Sequence, residues 1–248
     1  MNPSSRRLVI HSETVYILAN ILLAFAVAMV TAAGFGVSMI VAPAYIFSQK
    51  FTLFTFGQSE YIVQSFVFIA MCIALRKFRF VYFTSYLTCL FYGAILDLWR
   101  LVIPIFNESV TPAGSLPMPA RIALFIGGML LTGFSVAMFF RTYFCPQVYD
   151  FAVKTVSDHF RIERTKFKRI FDACCLAAAL IMVVCFFYGD LHDLTLSSFL
   201  ASGFHGIGIG TFIMTVLNGV FIGLWGKFFD RVFEVKPFLP KVAAYFEK

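Results

Sequence analysis

Apolar residues gather into six long runs along this chain, at roughly 13–34, 57–75, 80–103, 120–140, 170–189 and 205–226. Each run approaches the ~20 mostly apolar residues that a helix needs to cross a hydrocarbon core. None shows the strict alternation, broken by turns about every ten residues, that marks the strands of a membrane barrel. The pattern predicts an all-α membrane protein with six transmembrane helices. The first run is longer than a signal-peptide core and lacks a small-x-small cleavage signature, so it reads as an uncleaved first helix.

The runs divide into two groups of three. Two phrases recur at matching places. Phe25-Ala26-Val27-Ala28-Met29 in the first run is echoed by Phe134-Ser135-Val136-Ala137-Met138 in the fourth. Tyr92-Gly93-Ala94-Ile95-Leu96-Asp97-Leu98-Trp99 in the third is echoed by Asn218-Gly219-Val220-Phe221-Ile222-Gly223-Leu224-Trp225 in the sixth. Trp99 and Trp225 are the only tryptophans, and each closes its phrase. A unit with an odd number of crossings forces the next unit to enter from the opposite side. The expected architecture is two inverted three-helix repeats, residues 1–110 and 111–228, followed by a short tail, 229–248. Trp99 and Trp225 would then anchor at opposite interfaces. Two unrelated interface anchors are the plainer alternative.

Between the first and second runs, Gly34 to Ser48 is apolar but interrupted by Gly34, Gly36 and Pro43. It is too short to span and too apolar for an exposed loop. A re-entrant or broken helix fits, because irregular backbone at membrane depth must be covered by protein or line a cavity. A helix lying flat at the interface is the alternative. Its counterpart in the second unit runs from Cys145 to Asp158, and a proline follows the first helix of each unit, at Pro43 and Pro146. Val148, Phe151, Ala152 and Thr155 recur at helical spacing against Asp150, Lys154 and Asp158. That pattern predicts an amphipathic helix along the membrane surface.

Composition agrees with burial in lipid. The chain is 60% hydrophobic and 13% charged, with 33 phenylalanines among 248 residues, where soluble domains carry about a quarter charged residues. The net charge of +7 would suit a nucleic-acid binder, but its distribution argues otherwise. Arg6 and Arg7, then Arg76, Lys77 and Arg79, then Arg141, Lys154, Arg161, Arg164, Lys166, Lys168 and Arg169, then Lys227, Arg231, Lys236, Lys241 and Lys248 all fall on one side of six alternating helices. Only Lys50, Arg100 and Arg121 fall on the other. This positive-inside pattern places both termini in the cytoplasm. The six cysteines show no C-x-x-C and no metal spacing, and read as small packing residues.

Ionisable residues inside spans are costly and so are functional candidates. The second run opens with Thr55 and Gln58 at capping-box spacing, then Glu60 and Gln64 one turn apart on one face. Gln58, Glu60 and Gln64 form a polar strip beside the broken segment. The third run carries Asp97 and Arg100. Glu60, Asp97 and Arg100 at similar depth would make a substrate or proton site, or an ion pair tying helices together. Asn218, aligned with Tyr92, is a candidate path-lining or helix-bridging polar group, and Asn20 stands likewise. Gly206-Ile207-Gly208-Ile209-Gly210 lacks the ending of a phosphate loop and reads as a close-packing or unwound helix start. His205, and His192 with Asp190 and Asp193, could bind a metal but read better as a solvated loop. No catalytic motif, metal site or cofactor signature appears, and no enzyme is expected.

The stretch Gly34-Phe35-Gly36-Val37-Ser38, Ala42-Pro43, Thr55 to Tyr61, Tyr92-Gly93 and Leu96-Asp97 resembles the YczE/YitT-type group of bacterial integral membrane proteins. With only about 20 residues after its last span, the chain is similar to the short form lacking a soluble C-terminal domain. The resemblance implies a multi-pass protein of the bacterial cytoplasmic membrane, and it implies no substrate.

The expectation is a small secondary transporter of a small or amphipathic solute, with proton coupling through Glu60 or Asp97 as its sharper form. The alternatives are a non-transporting scaffold or regulatory partner, and a handler of lipid-like substrates through a groove open to the bilayer. Partners would be the bilayer, an unidentified small molecule and, as an open case, further copies of the chain.

Overall fold

The computed structural model describes residues 8–76, 78–240 and 243–244. Arg6, Arg7, Lys77, Lys241 and Lys248 of the charge pattern lie outside the described residues, as does the Asp193 side chain. Among the described residues nine α-helices form: α1 Ser12–Ala33, α2 Ala42–Lys50, α3 Phe56–Leu75, α4 Phe80–Val102, α5 Met118–Phe139, α6 Val148–Phe160, α7 Arg164–Phe186, α8 Leu196–Ser202 and α9 Ile209–Val232. Among the described residues α1, α3, α5, α7 and α9 are long and apolar enough to cross a membrane. This is a helical membrane protein.

Local chemistry sets the helix ends. Gly34 closes α1 at φ 68°, where its missing Cβ avoids a clash. Pro43 sits in the first turn of α2, where an absent N–H costs nothing. At the start of α3 the Thr55–Gln58 capping box forms as expected. Two boundaries differ from the hydropathy reading. α7 begins at Arg164, inside the basic run, because charged residues continue a helix once an apolar segment has nucleated it. α9 begins only at Ile209, because residues 203–208 are irregular, with Gly203 and Gly206 at positive φ.

α1 lies at the centre, against α4 on one side and α5 on the other, and α5 carries α9. Glycines let backbones approach. A Cβ on Gly128 would meet Val30 and the Ala26 carbonyl, and one on Gly133 would meet Phe221. α3 packs on α4 the same way, through Gly57 and Gly93. The short helices cross over: α6 packs on α3, and α2 packs on α7. α7 and α9 make no comparable contact with each other. Of the most apolar stretch of α7 only 17% is buried, against 61% for α1.

α6 is not the surface-lying helix its pattern suggests. Seven of its 13 residues are buried. Phe151, Ala152 and Val156 pack on Met71 and Leu75 near the end of α3, while Gln147 and Tyr149 reach Gln64 and Glu60, roughly 10–22 Å further up the same helix. The apolar face is satisfied by α3, and the polar edge by α7, where Lys168 lies 3.8 Å from Asp150.

One element has no precursor in the apolar pattern. β1 (Leu8–His11) pairs in parallel with β2 (Phe233–Lys236), Leu8 opposite Phe233 and His11 opposite Lys236. β1 runs directly into α1 and β2 leaves α9, so both ends of the helical body share one face.

Candidate functional site

A cluster of buried polar side chains lies where α3 meets α6. There Glu60 and Gln64, both with no exposed surface, face Tyr149 and Gln147, which are 3% and 8% exposed. Gln64 Nε2 donates to Glu60 Oε2 at 3.0 Å, and Tyr149 Oη donates to the same oxygen at 3.1 Å. Gln64 Nε2 also lies 3.5 Å from Gln147 Oε1. Three buried atoms in this cluster have no hydrogen-bond partner: Glu60 Oε1, Gln64 Oε1 and Gln147 Nε2. No Arg, Lys or His side chain pairs with Glu60 among the described residues.

A second polar region opens at the end of α1. A cavity of about 400 Å³ is walled by residues 31–37, Tyr45 and Gln49 of α2, residues 108–113, and residues 202–206. Its walls come from both halves of the chain. Val37 N donates to Gly206 O and Gly210 N to Phe35 O, so two irregular segments satisfy each other's backbone. Gly206 is pressed on the Tyr45 ring and Gly208 on the Phe35 carbonyl, where no Cβ would fit. Arg121, buried on α5, donates from Nε to Ala33 O at 2.7 Å and from Nη2 to Gly34 O and Ala201 O at 3.2 and 2.7 Å. His205 adopts φ 45°, rarely tolerated outside glycine. Its ring stacks on Phe187 at 3.7 Å, with Nδ1 2.9 Å from Gln49 Oε1 and Nε2 3.0 Å from Asp190 Oδ2.

The residues expected to form one site are divided among several. Glu60 and Gln64 do share a face and a hydrogen bond. Gln58 is exposed on another face, its side chain spent on the capping box. Asp97 reaches the start of α3, accepting from Thr55 Oγ1 at 2.5 Å and from Gly57 N at 2.8 Å. Arg100 pairs with Glu108 at 2.8 Å, donates to Phe106 O and covers the Phe56 ring. It therefore neutralises neither Glu60 nor Asp97. Asn218 stands half-buried on α9 with an unpartnered Oδ1. Asn20 is fully buried on α1, its Nδ2 bonded to Tyr16 O. Gln147 and Tyr149 escaped the sequence reading, as did Tyr45, Gln49 and Glu108 in the cavity. The parallel between Pro43 and Pro146 was the signal for the first pair, since it marks α6 as a short buried helix like α2.

A family model described as a family of unknown function (DUF6198) matches residues 10–227. No curated protein and no solved structure matches the chain.

Proposed function

As the chain belongs to that family (DUF6198), which lends it no activity, we propose from the geometry alone that it is a small secondary transporter built from two inverted units. The observation that carries this reading is the crossed packing of the short helices. α6 of the second unit lies on α3 of the first, and α2 of the first lies on α7 of the second. Short helices that begin inside a bundle, paired about a pseudo-twofold axis, are the places where such transporters bind solutes.

Three further features support the repeat. α1–α4 packing in the first unit has its counterpart in α5–α9 packing in the second, with α1 against α5 between them. The recurring phrases meet in space in the same way: Phe25 lies edge-on to Trp99 at 5.0 Å and 69°, and Phe134 to Trp225 at 5.2 Å and 73°. α4, with 23 residues, supplies the sixth crossing, and an even number agrees with β1 and β2 lying together on one face.

The two units are not in the same state. α3 closes on α4 at Gly93, whereas Gly219, the counterpart of Gly93, has nothing within 4 Å. Alternating access in inverted repeats exchanges the conformations of the two units. The other state would then bring α7 onto the bare face of α9 and release α3 from α4. The solute enters the 400 Å³ cavity between the outer segments of the two units. The open side between α7 and α9 suits an amphipathic solute arriving from the bilayer.

The test is uptake by the purified protein in liposomes, screened over amines, amino acids, sugars, organic acids and amphipathic metabolites. We expect accumulation of one class, abolished by Tyr45→Trp, which fills the cavity. Failure across the whole panel, with protein correctly inserted, would overturn the proposal.

A further inference from the structure

We infer that Glu60 is a proton-binding site whose proton closes an acid–amide pair with Gln64 and thereby sets how firmly the second unit's α6 is held on α3.

The argument begins with what the cluster lacks. Glu60 and Gln64 are linked by one hydrogen bond, Gln64 Nε2 to Glu60 Oε2. Each keeps one oxygen with no donor, Glu60 Oε1 and Gln64 Oε1. Both are sealed from solvent. An ionised carboxylate in this position would be buried without a countercharge, and two oxygens would stay unsatisfied. One proton on Glu60 Oε1 removes the charge and supplies the missing donor. A metal ion fits less well, because hard cations take about six or more oxygen ligands and two are on offer.

The groups facing Glu60 do not alter this. α4 presents Cys89 and Tyr92, α6 presents Tyr149, and α7 presents Cys175. All are neutral when protonated, so none supplies the positive charge that an ionised Glu60 would need.

Release of the proton breaks the Oε1–H bond. The electron pair stays on the carboxylate and the proton passes to solvent. The carboxylate then has three donors within the cluster: Gln64 Nε2, Tyr149 Oη and Gln147 Nε2, which has no acceptor at present. Two of the three stand at the start of α6. Deprotonation draws α6 toward α3, and protonation relaxes it. That this movement drives transport rests on the transporter reading above; the proton site itself does not.

Infrared difference spectroscopy of the protein in lipid nanodiscs tests the site without any solute. We expect the C=O band of a protonated carboxyl near neutral pH, shifted in D2O and missing in Glu60→Gln. In Gln64→Leu, which keeps Glu60 and so covers the case of a poorly folded Glu60→Gln, the band should remain and move to the higher frequency of a carboxyl freed from its amide partner. No such band in the wild type, or a band unchanged in Glu60→Gln, would overturn the inference. Intact bands in a protein that moves no solute would overturn the transporter reading and leave the proton site standing.

Discussion

Arg121 holds three carbonyls from two segments that are 168 positions apart, Ala33 and Gly34 on one side and Ala201 on the other. Its guanidinium also covers the Phe35 ring at 4.3 Å. Arg121→Ala leaves those carbonyls without their donor, and a loss of about 3 kcal/mol or more is expected. Arg121→Lys keeps the charge but loses the fork and should fall between. Melting in detergent reads both. Asp97 is a different case. It serves the start of α3, so Asp97→Ala should cost only about 1 kcal/mol, as other lost helix caps do, and leave the Glu60 infrared band in place. At this scale the sequence was legible where partners are close in the chain. Glu60 and Gln64, one helical turn apart, and the Thr55–Gln58 cap were all visible. The partners of Glu60 across the bundle were not, because Tyr149 lies 89 positions away. Asp97 and Arg100 looked like one another's neighbours, yet each found a closer partner on another element.

Helix packing yields a paired prediction at α4 and α9. Gly93 and Gly219 occupy the same place in a repeated phrase, but a Cβ on Gly93 would strike the Tyr61 ring, and one on Gly219 meets open space. Gly93→Leu should part α3 from α4 and lower stability by about 1–3 kcal/mol, the usual range for overpacking. Gly219→Leu should leave stability within about 0.5 kcal/mol, or raise it slightly through helix propensity. If α7 closes on this face during the cycle, Gly219→Leu will nonetheless slow uptake at least tenfold. Wild-type uptake by Gly219→Leu would exclude closure at that face. The helices themselves were readable from apolar runs because length and hydropathy are local properties. α6 was misplaced because an amphipathic pattern says only that one face seeks apolar cover. Lipid and α3 offer the same cover, and the choice between them is made in three dimensions.

For the molecule as a whole, the charge pattern and the pairing of β1 with β2 make a joint prediction. In a cysteine-free background, Glu108→Cys should react with an impermeant thiol reagent added to intact cells. Lys236→Cys, beside β1, should react only after permeabilisation; the opposite order would reverse the assigned orientation. By itself the sequence determined that the chain is a helical membrane protein, where most spans lie, that two phrases repeat, and that Glu60 and Gln64 share a face. Each of these depends on spacing within a few turns or on composition, which folding does not change. Only the tertiary structure decided that α6 turns inward to meet Glu60, that Arg100 goes to Glu108, that β1 joins β2, and that α3 is closed on α4 while α7 stands apart from α9. Those outcomes depend on which distant surfaces meet, and the bilayer leaves them open, since a lipid tail covers an apolar face as well as another helix does.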